Sequence, residues 1–410
     1  MPELFHVLTV EQASRRLLAH VAPSGQAERV PTIDALDRVL AEDLRSPVDL
    51  PAFARSTMDG FAVRAADTYG ASEGLPAYLT ICGEVPMGRA ADLAVGSGEA
   101  ARVHTGGMLP RGCDAVVMVE NTQQLDERML EVVRAAAVGE NVIPVGEDVR
   151  LGDLLFARGH RLRPQDLGGL AGVGIVSAPV VARPRVAILA TGDEVVPAGQ
   201  PVALGQVRDI NSYTIAALTR RAGGEPLLCG IAPDSAPLLR QMAAAALAQA
   251  DVLIISAGSS VSTRDMTAQV IGELGQPGVL VHGVAMHPGK PTILAVAGGK
   301  PVFGLPGNPV STMIAFDLFV TPTLLRLQGC DEAPSSRTTQ ARLARNVASH
   351  PGSADFVPVR IEPRGGELWA EPVFGKSNLI YTMAHADGIL RVPLDLAGLY
   401  AGDMVTVRLF

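Results

Sequence analysis

A regular rhythm of strand, loop and helix over residues 185–327 constrains this chain more than any other feature. Arg185-Val186-Ala187-Ile188-Leu189-Ala190 reads as a buried strand, and Asp251-Val252-Leu253-Ile254-Ile255 and Pro301-Val302-Phe303-Gly304-Leu305 are two more. Helical stretches alternate with them at 212–221, beyond Pro237 through an alanine run, and from 309 to about 327. Strands buried on both faces read as continuous apolar runs, and alternating β and α elements fold into a parallel, doubly wound sheet covered by helices on both sides. The fold class expected is therefore multidomain α/β, with a doubly wound domain at 183–328.

A chain of 410 residues outgrows one core, so further domains are expected around this one. Helical spacing at Ala13, Leu17 and Leu18, and again at Ile33, Leu36, Val39 and Leu40, is broken by a turn at Pro23-Ser24-Gly25. Residues 46–138 change to short alternating runs between Gly and Pro, the texture of a β-rich domain. A glycine-rich connector with a helix near Pro164 occupies 139–182, and with 1–45 it makes an elongated N-terminal domain. After a polar linker, residues 335–410 return to short strands and read as a small β-barrel.

Composition excludes several classes. The net charge of −8 disfavours nucleic-acid and anionic-membrane surfaces, which need clustered basic charge. No basic flank precedes an apolar run at the start of the chain, and the apolar stretches at 169–181 and 243–257 are interrupted, so neither a signal peptide nor a membrane span is expected. Cys82, Cys113, Cys229 and Cys330 form no CxxC pair and read as reduced, mostly buried thiols of a cytoplasmic protein. Lysine occurs only at 290, 300 and 376, so a lysine inside a motif is not background.

In an open parallel sheet, ligands bind outside the carboxyl ends of the strands. Thr191-Gly192-Asp193-Glu194 follows one strand directly, and Ser256-Ala257-Gly258-Ser259-Ser260 follows another, with Asp265 beyond it. Gly304-Leu305-Pro306-Gly307-Asn308-Pro309-Val310-Ser311 is a strand-to-helix turn with Asn308 at the N-cap and Pro309 at the first helical position. Free amides at such a start attract anions by about 0.3–1 kcal/mol, and Ser311 adds a hydroxyl. In His287-Pro288-Gly289-Lys290-Pro291, a lysine on a stiff loop is a fixed point charge for an oxyanion. Together these loops suit a phosphorylated or nucleotide ligand without a Walker or GxGxxG pattern. Asp193, Glu194 and Asp265 are candidate site acids. Asp234 reads first as a helix cap and second as a site residue, and Asp209 and Asn211 divide evenly between the two. His282 and His287 lack a third ligand nearby and favour structural or anion contacts over metal. Ser259 and Ser260 lack a base and favour hydrogen-bond donation over nucleophilic attack.

These motifs, taken in order, resemble those of the molybdopterin molybdenumtransferase family, also called molybdenum insertases or gephyrin-like molybdotransferases. Ser56-Thr57-Met58-Asp59-Gly60-Phe61 is similar to the family's Ser-x-Met-Asp-Gly-Tyr. Thr105-Gly106, Pro110-Arg111-Gly112 and the run Ala115-Val116-Val117 before Glu120 resemble a second block, and Gly146-Glu147-Asp148 the connector motif. Ala386-Asp387-Gly388 and Ala401-Gly402-Asp403 fit the C-terminal barrel. The resemblance implies an elongated homodimer whose site lies between the doubly wound domain of one subunit and the second domain of its partner. It implies a reaction of adenylylated molybdopterin with molybdate, with Mg²⁺, to molybdenum cofactor and AMP. A molybdopterin adenylyltransferase and apo-molybdoenzymes are then possible partners. Carried onto this sequence, it makes Asp59, Asp148, Glu194 and Asp265 the catalytic candidates. Asp193, Glu194 and Asp265 become the candidate cation ligands. Thr105, Thr191, Gly192, Asp193, Asn211, Asp234, Gly258, Ser259, Ser260, His287, Pro288, Lys290, Pro306, Asn308, Pro309 and Ser311 become the substrate-binding set.

Two positions depart from the family pattern. The lysine that follows the acid at 265 is missing, and His287 replaces the first lysine of Lys-Pro-Gly-Lys-Pro. With less positive charge near the anion, tungstate stands beside molybdate as a candidate oxyanion. A non-catalytic scaffold and an adenylyltransferase-like enzyme are the rival readings.

Overall fold

The computed structural model describes residues 7–257, 261–330 and 337–410. In the doubly wound domain the strands are β1 (Arg185–Thr191), β2 (Glu225–Ala232), β3 (Val252–Ser256), β4 (Pro277–His282), β5 (Ile293–Ala297) and β6 (Lys300–Leu305), in the order β2-β1-β3-β6-β5-β4. Four of them, β2, β1, β3 and β6, run parallel. The sheet departs from the all-parallel expectation at β5 and β4, which pair antiparallel. Gly298 and Gly299, both at positive φ, join β5 to β6 in a two-residue hairpin, and so short a connection permits only an antiparallel neighbour.

Side chains alternate across the sheet, which splits its apolar residues between two cores. Val186, Ile188, Val252, Ile254 and Phe303 face helix α1 (Asn211–Arg221) and the helical run from Pro309. Ala187, Leu189, Leu253 and Ile255 face α2 (Ala236–Ala248) and α3 (Val261–Glu273). The N-terminal helix Val10–Leu18 starts at a capping box between Thr9 and Gln12 and buries Val10, Ala13 and Leu17 in the first of these cores. By packing it belongs with the doubly wound domain rather than the elongated one.

The run Pro309–Leu327 is long and apolar enough to cross a membrane, yet most of it is buried inside the protein, with Phe316, Phe319 and Leu324 in the core. It widens into a π-helical stretch at Phe316–Val320 just before Pro322, whose ring would otherwise meet the carbonyl of Leu318.

The second helical expectation, at Ile33 to Leu40, is overturned. Only a 3-10 turn at Thr32–Asp34 forms; Val39 and Leu40 are buried through single β-bridges to Arg161 and Val180, not on a helix face. The neighbouring strand Ala27–Pro31 pairs with Ser177–Val181, and Leu44–Arg45 pairs with Leu154–Phe156, so the N-terminal stretch and the connector share one small core.

The β-rich region holds a six-stranded mixed sheet with apolar clusters around Phe61, Leu79 and Leu130 and around Ala62, Val103 and Val116. Cys82 is exposed there and the other three thiols are half-buried, so the expectation of mostly buried thiols does not hold. Burial nevertheless pushes the Cys113 thiol up to about 12. At the C-terminus five strands, Thr338–Leu343, Ala354–Arg364, Glu367–Pro372, Gly388–Val392 and Met404–Leu409, close into a barrel. Met286–His287 adds to it in parallel with Ala354 and Asp355, which ties the lysine loop to the barrel wall.

Candidate active site

The four parallel strands end on one edge, and their loops gather there. Buried Thr191, at the end of β1, donates from Oγ1 to Asp234 Oδ1 at 3.3 Å. Asp193 Oδ1 accepts the backbone N–H of Asp234 at 3.1 Å. Asp234 therefore joins two strand-end loops; the N-cap position of α2 is Ser235, without a side-chain cap. Gly192 lies between them at φ +143, where a Cβ would come within 2.7 Å of Glu194 Oε2, so the turn admits only glycine.

Asn211 opens α1 and is 8% exposed. Its Nδ2 donates to Ser256 Oγ and to the Gly307 carbonyl, both at 2.8 Å, which locks the ends of β3 and β6 together. Its buried Oδ1 has no partner. Asp209 Oδ1 accepts from the Ser212 N–H at 3.0 Å and takes the capping role.

A groove of about 720 Å³ crosses these strand ends, lined by Thr191, Glu194, Asn211, Ser256, Asn308 and Pro309, with Asn378 of the barrel region on one side. A smaller cavity of about 240 Å³ adjoins it at Asn308 and is lined by His287, Pro288, Lys290, Pro306, Ser311 and Ser377. A cation and two hydroxyls around so small a space suit a compact oxyanion. The open helix start expected at Asn308 is corrected: its side chain does not cap, but donates from Nδ2 to Ser377 Oγ at 2.9 Å. The Val310 N–H is taken by the Ser377 carbonyl at 3.1 Å. The docked barrel loop thus uses part of the donor set that an anion would have met.

Ser377 and Asn378 were not singled out from the sequence. The available signal was Lys376, one of three lysines. Of the others, Lys300 donates from Nζ to the Leu247 carbonyl at 2.9 Å and is structural.

Asp193, Glu194 and Asp265 do not form a ligand set among themselves. Asp193 and Glu194 are the central residues of the turn closed by the Val195 N–H on the Gly192 carbonyl at 3.1 Å, and their side chains leave it on different sides. Glu194 lines the large groove, while Asp193 lines a neighbouring one with Tyr213 and Leu228, and Asp209 lines both. Asp265 is exposed on α3 and lines neither. Among the described residues no group of three or more His, Cys, Asp or Glu side chains is placed to hold a metal ion. Gly258, Ser259 and Ser260 lie outside the described residues.

Asp59 and Thr105 form a separate centre in the β-rich region. Asp59 Oδ1 accepts from the Thr105 backbone N–H at 2.7 Å and from its hydroxyl at 3.1 Å, with His104 Nδ1 at 3.9 Å. The Thr105 N–H, then its hydroxyl, holds the Asp59 carboxyl below the usual aspartate range, so it stands ionised and exposed. Asp148 is exposed in the connector, where its N–H donates to the Leu50 carbonyl at 3.0 Å. None of the three lines the strand-end cavities of its own chain.

Three family models match successive stretches of the chain. Residues 8–174 match the MoeA N-terminal region (domain I and II), residues 187–326 a probable molybdopterin binding domain, and residues 340–410 the MoeA C-terminal region (domain IV). The class is thus a multidomain protein built around a doubly wound molybdopterin-binding domain. A molybdopterin molybdenumtransferase of Bacillus subtilis is 34% identical over 98% of this chain and 94% of its own. One from Haemophilus influenzae is 31% identical over 98% and 99%. The crystal structure of a molybdopterin biosynthesis MoeA protein from Pyrococcus horikoshii superposes with a TM-score of 0.86 at 30% identity, covering 98% of this chain and all of that one. The chain belongs to the molybdopterin molybdenumtransferase family.

Proposed function

We propose that this protein inserts molybdate into adenylylated molybdopterin, releasing AMP and molybdenum cofactor. The observation that carries the reading is the pair of adjoining cavities at Asn308. One is an oxyanion-sized space beside Lys290, Ser311 and Ser377; the other is a longer groove past Glu194 and Asn211 that accommodates a nucleotide. The pterin's dithiolene supplies soft sulfur to molybdenum, so the protein needs no cysteine there.

Lys290 balances the charge of the oxyanion, and Asn211 offers an acceptor to the nucleotide. The Glu194 carboxylate lies beside the same groove. Magnesium, which keeps waters and is held by one or two carboxylates plus substrate phosphate, suits a groove lined by the two carboxylates Glu194 and Asp209 better than a preformed cage. Asp59, ionised and exposed on a different domain, is assigned to the site of a second subunit in a homodimer. It would take up or deliver protons there as oxo groups leave as water. With this reading go a cytoplasmic location, a separate adenylyltransferase as supplier and apo-molybdoenzymes as recipients.

The test gives purified protein adenylylated molybdopterin, molybdate and Mg²⁺, and follows AMP release and activation of an apo-molybdoenzyme. Neither occurring with wild-type protein rejects the reading. Repeating it with tungstate in competition measures the effect of the missing lysines.

A further inference from the structure

A third cavity lies on the barrel side of the lysine loop. Its volume is about 690 Å³, and it shares His287, Pro288, Asn308 and Ser377 with the lysine pocket. The far walls are apolar and include Val347, Phe356, Val373 and Phe374. Asp355 lines the same space although it is only 8% exposed. The barrel places it there by pairing its strand with Met286–His287 on one side and with Val392 on the other.

This carboxylate is poorly compensated. Its ionic neighbour is His287 Nδ1 at 3.7 Å, beyond hydrogen-bond distance, and the His287 side chain is 76% exposed. The Asp355 oxygens face the cavity and no hydrogen bond to them from a described residue is seen, so they are available to donors that a ligand brings. A flat heterocycle with two neighbouring N–H groups on one edge matches this carboxylate. The edge pairs with both carboxylate oxygens, and the ring fits a slot with aromatic and aliphatic walls. A 2-amino-4-oxopyrimidine has that edge in its amino group and ring N3–H.

We infer that this pocket binds the pterin end of the substrate, with Asp355 accepting hydrogen bonds from the 2-amino group and N3–H. The inference rests on the substrate of the proposed function and gives that substrate a direction. The three cavities meet at Asn308; the barrel-side cavity shares Asn378 with the large groove and His287 with the lysine pocket. With the pterin ring on the barrel side and the nucleoside in the large groove, the dithiolene and phosphate between them cross the junction at Asn308, onto which the lysine pocket opens. The dithiolene then falls beside Lys290, where the oxyanion is held.

Pterin and lumazine, which carries oxygen in place of the 2-amino group, are both fluorescent and are titrated against the full-length protein. Wild type is expected to bind pterin at least tenfold more tightly than lumazine. Asp355→Asn, which keeps the side-chain shape, abolishes that preference and leaves the affinity for AMP unchanged. Equal binding of the two by wild type, no saturable binding of pterin, or a preference that survives Asp355→Asn overturns the inference. If that variant does not fold, Phe374→Ala at the exposed rim decides: a severalfold loss of pterin affinity supports the pocket, and unchanged affinity rejects it. AMP release by wild type is measured independently, so pterin selectivity without turnover would reject insertion and retain the pocket, and turnover without selectivity would do the reverse.

Discussion

Replacing Asp166 by Asn tests how a single buried carboxylate holds the connector together. Asp166 lies in the first turn of the helix Pro164–Gly172 and is 3% exposed. Its Oδ2 meets His160 Nε2 at 2.7 Å, the Arg163 N–H at 2.8 Å and Arg163 Nε at 3.0 Å, and its Oδ1 meets Arg163 Nη2 at 2.9 Å. Burial pushes the carboxyl up, but the Arg163 and His160 hydrogen bonds outweigh it and hold the group down to about 2, against 3.8 for an ordinary aspartate. That preference for the ionised form contributes about 2.5 kcal/mol at neutral pH. Because the folded-state value is the lower one, the contribution is complete above about pH 5. It declines as pH falls through the unfolded value, is about half gone at pH 3, and vanishes below about pH 2. Asp166→Asn removes the charge and turns an N–H toward its former donors. The expected loss of about 2.5 kcal/mol corresponds to a fall of roughly 10–20 °C in the melting midpoint of a unit of about 90 residues, the size of the N-terminal stretch and connector together. Thermal unfolding of both proteins followed by circular dichroism at pH 7, 5 and 3 provides the comparison. A difference that stays constant down to pH 3, or no difference at pH 7, refutes the reasoning.

Three more outcomes are expected. Gly192→Ala forces a side chain into φ +143 and against Glu194 Oε2; with strain of about 1–3 kcal/mol, AMP release should slow at least tenfold while far-UV dichroism is unchanged. A normal rate would show that the placement of Glu194 is not needed. Lys290→Ala should weaken molybdate binding at least tenfold with little change in stability, whereas Lys300→Ala, losing its bond to the Leu247 carbonyl, should lower the melting midpoint and leave molybdate affinity intact; calorimetric titration separates the two, and equal effects contradict the assignment. Asn211→Ala leaves Ser256 Oγ and the Gly307 carbonyl without their shared donor at a cost of about 2 kcal/mol, and hydrogen exchange at residues 306–308 should quicken; protection unchanged from wild type would show that this lock is not needed.

The sequence by itself determined the elements whose information is local. Arg185–Thr191 and Val252–Ser256 are strands because both of their faces are apolar, and the helix at Val10–Leu18 starts at Thr9 because Gln12 completes its cap. The loops at 191–194, 287–291 and 304–311 were legible because glycine, proline and a rare lysine at strand ends have few other uses. Local pattern misled where burial came from partners distant in sequence, as at Val39 and Leu40, whose helix-like spacing is satisfied by bridges to Arg161 and Val180. Only the tertiary structure decided what each site residue faces. Asp193 and Glu194 are neighbours in the chain and line different grooves; Asn308 abandons its cap for Ser377, 69 residues away. Asp355 acquires its place in a pocket only because the closed barrel pairs with the lysine loop. Propensity acts over a few residues, whereas the direction of a side chain and the company of a carboxylate depend on which distant strands pair, and no short stretch of sequence carries that.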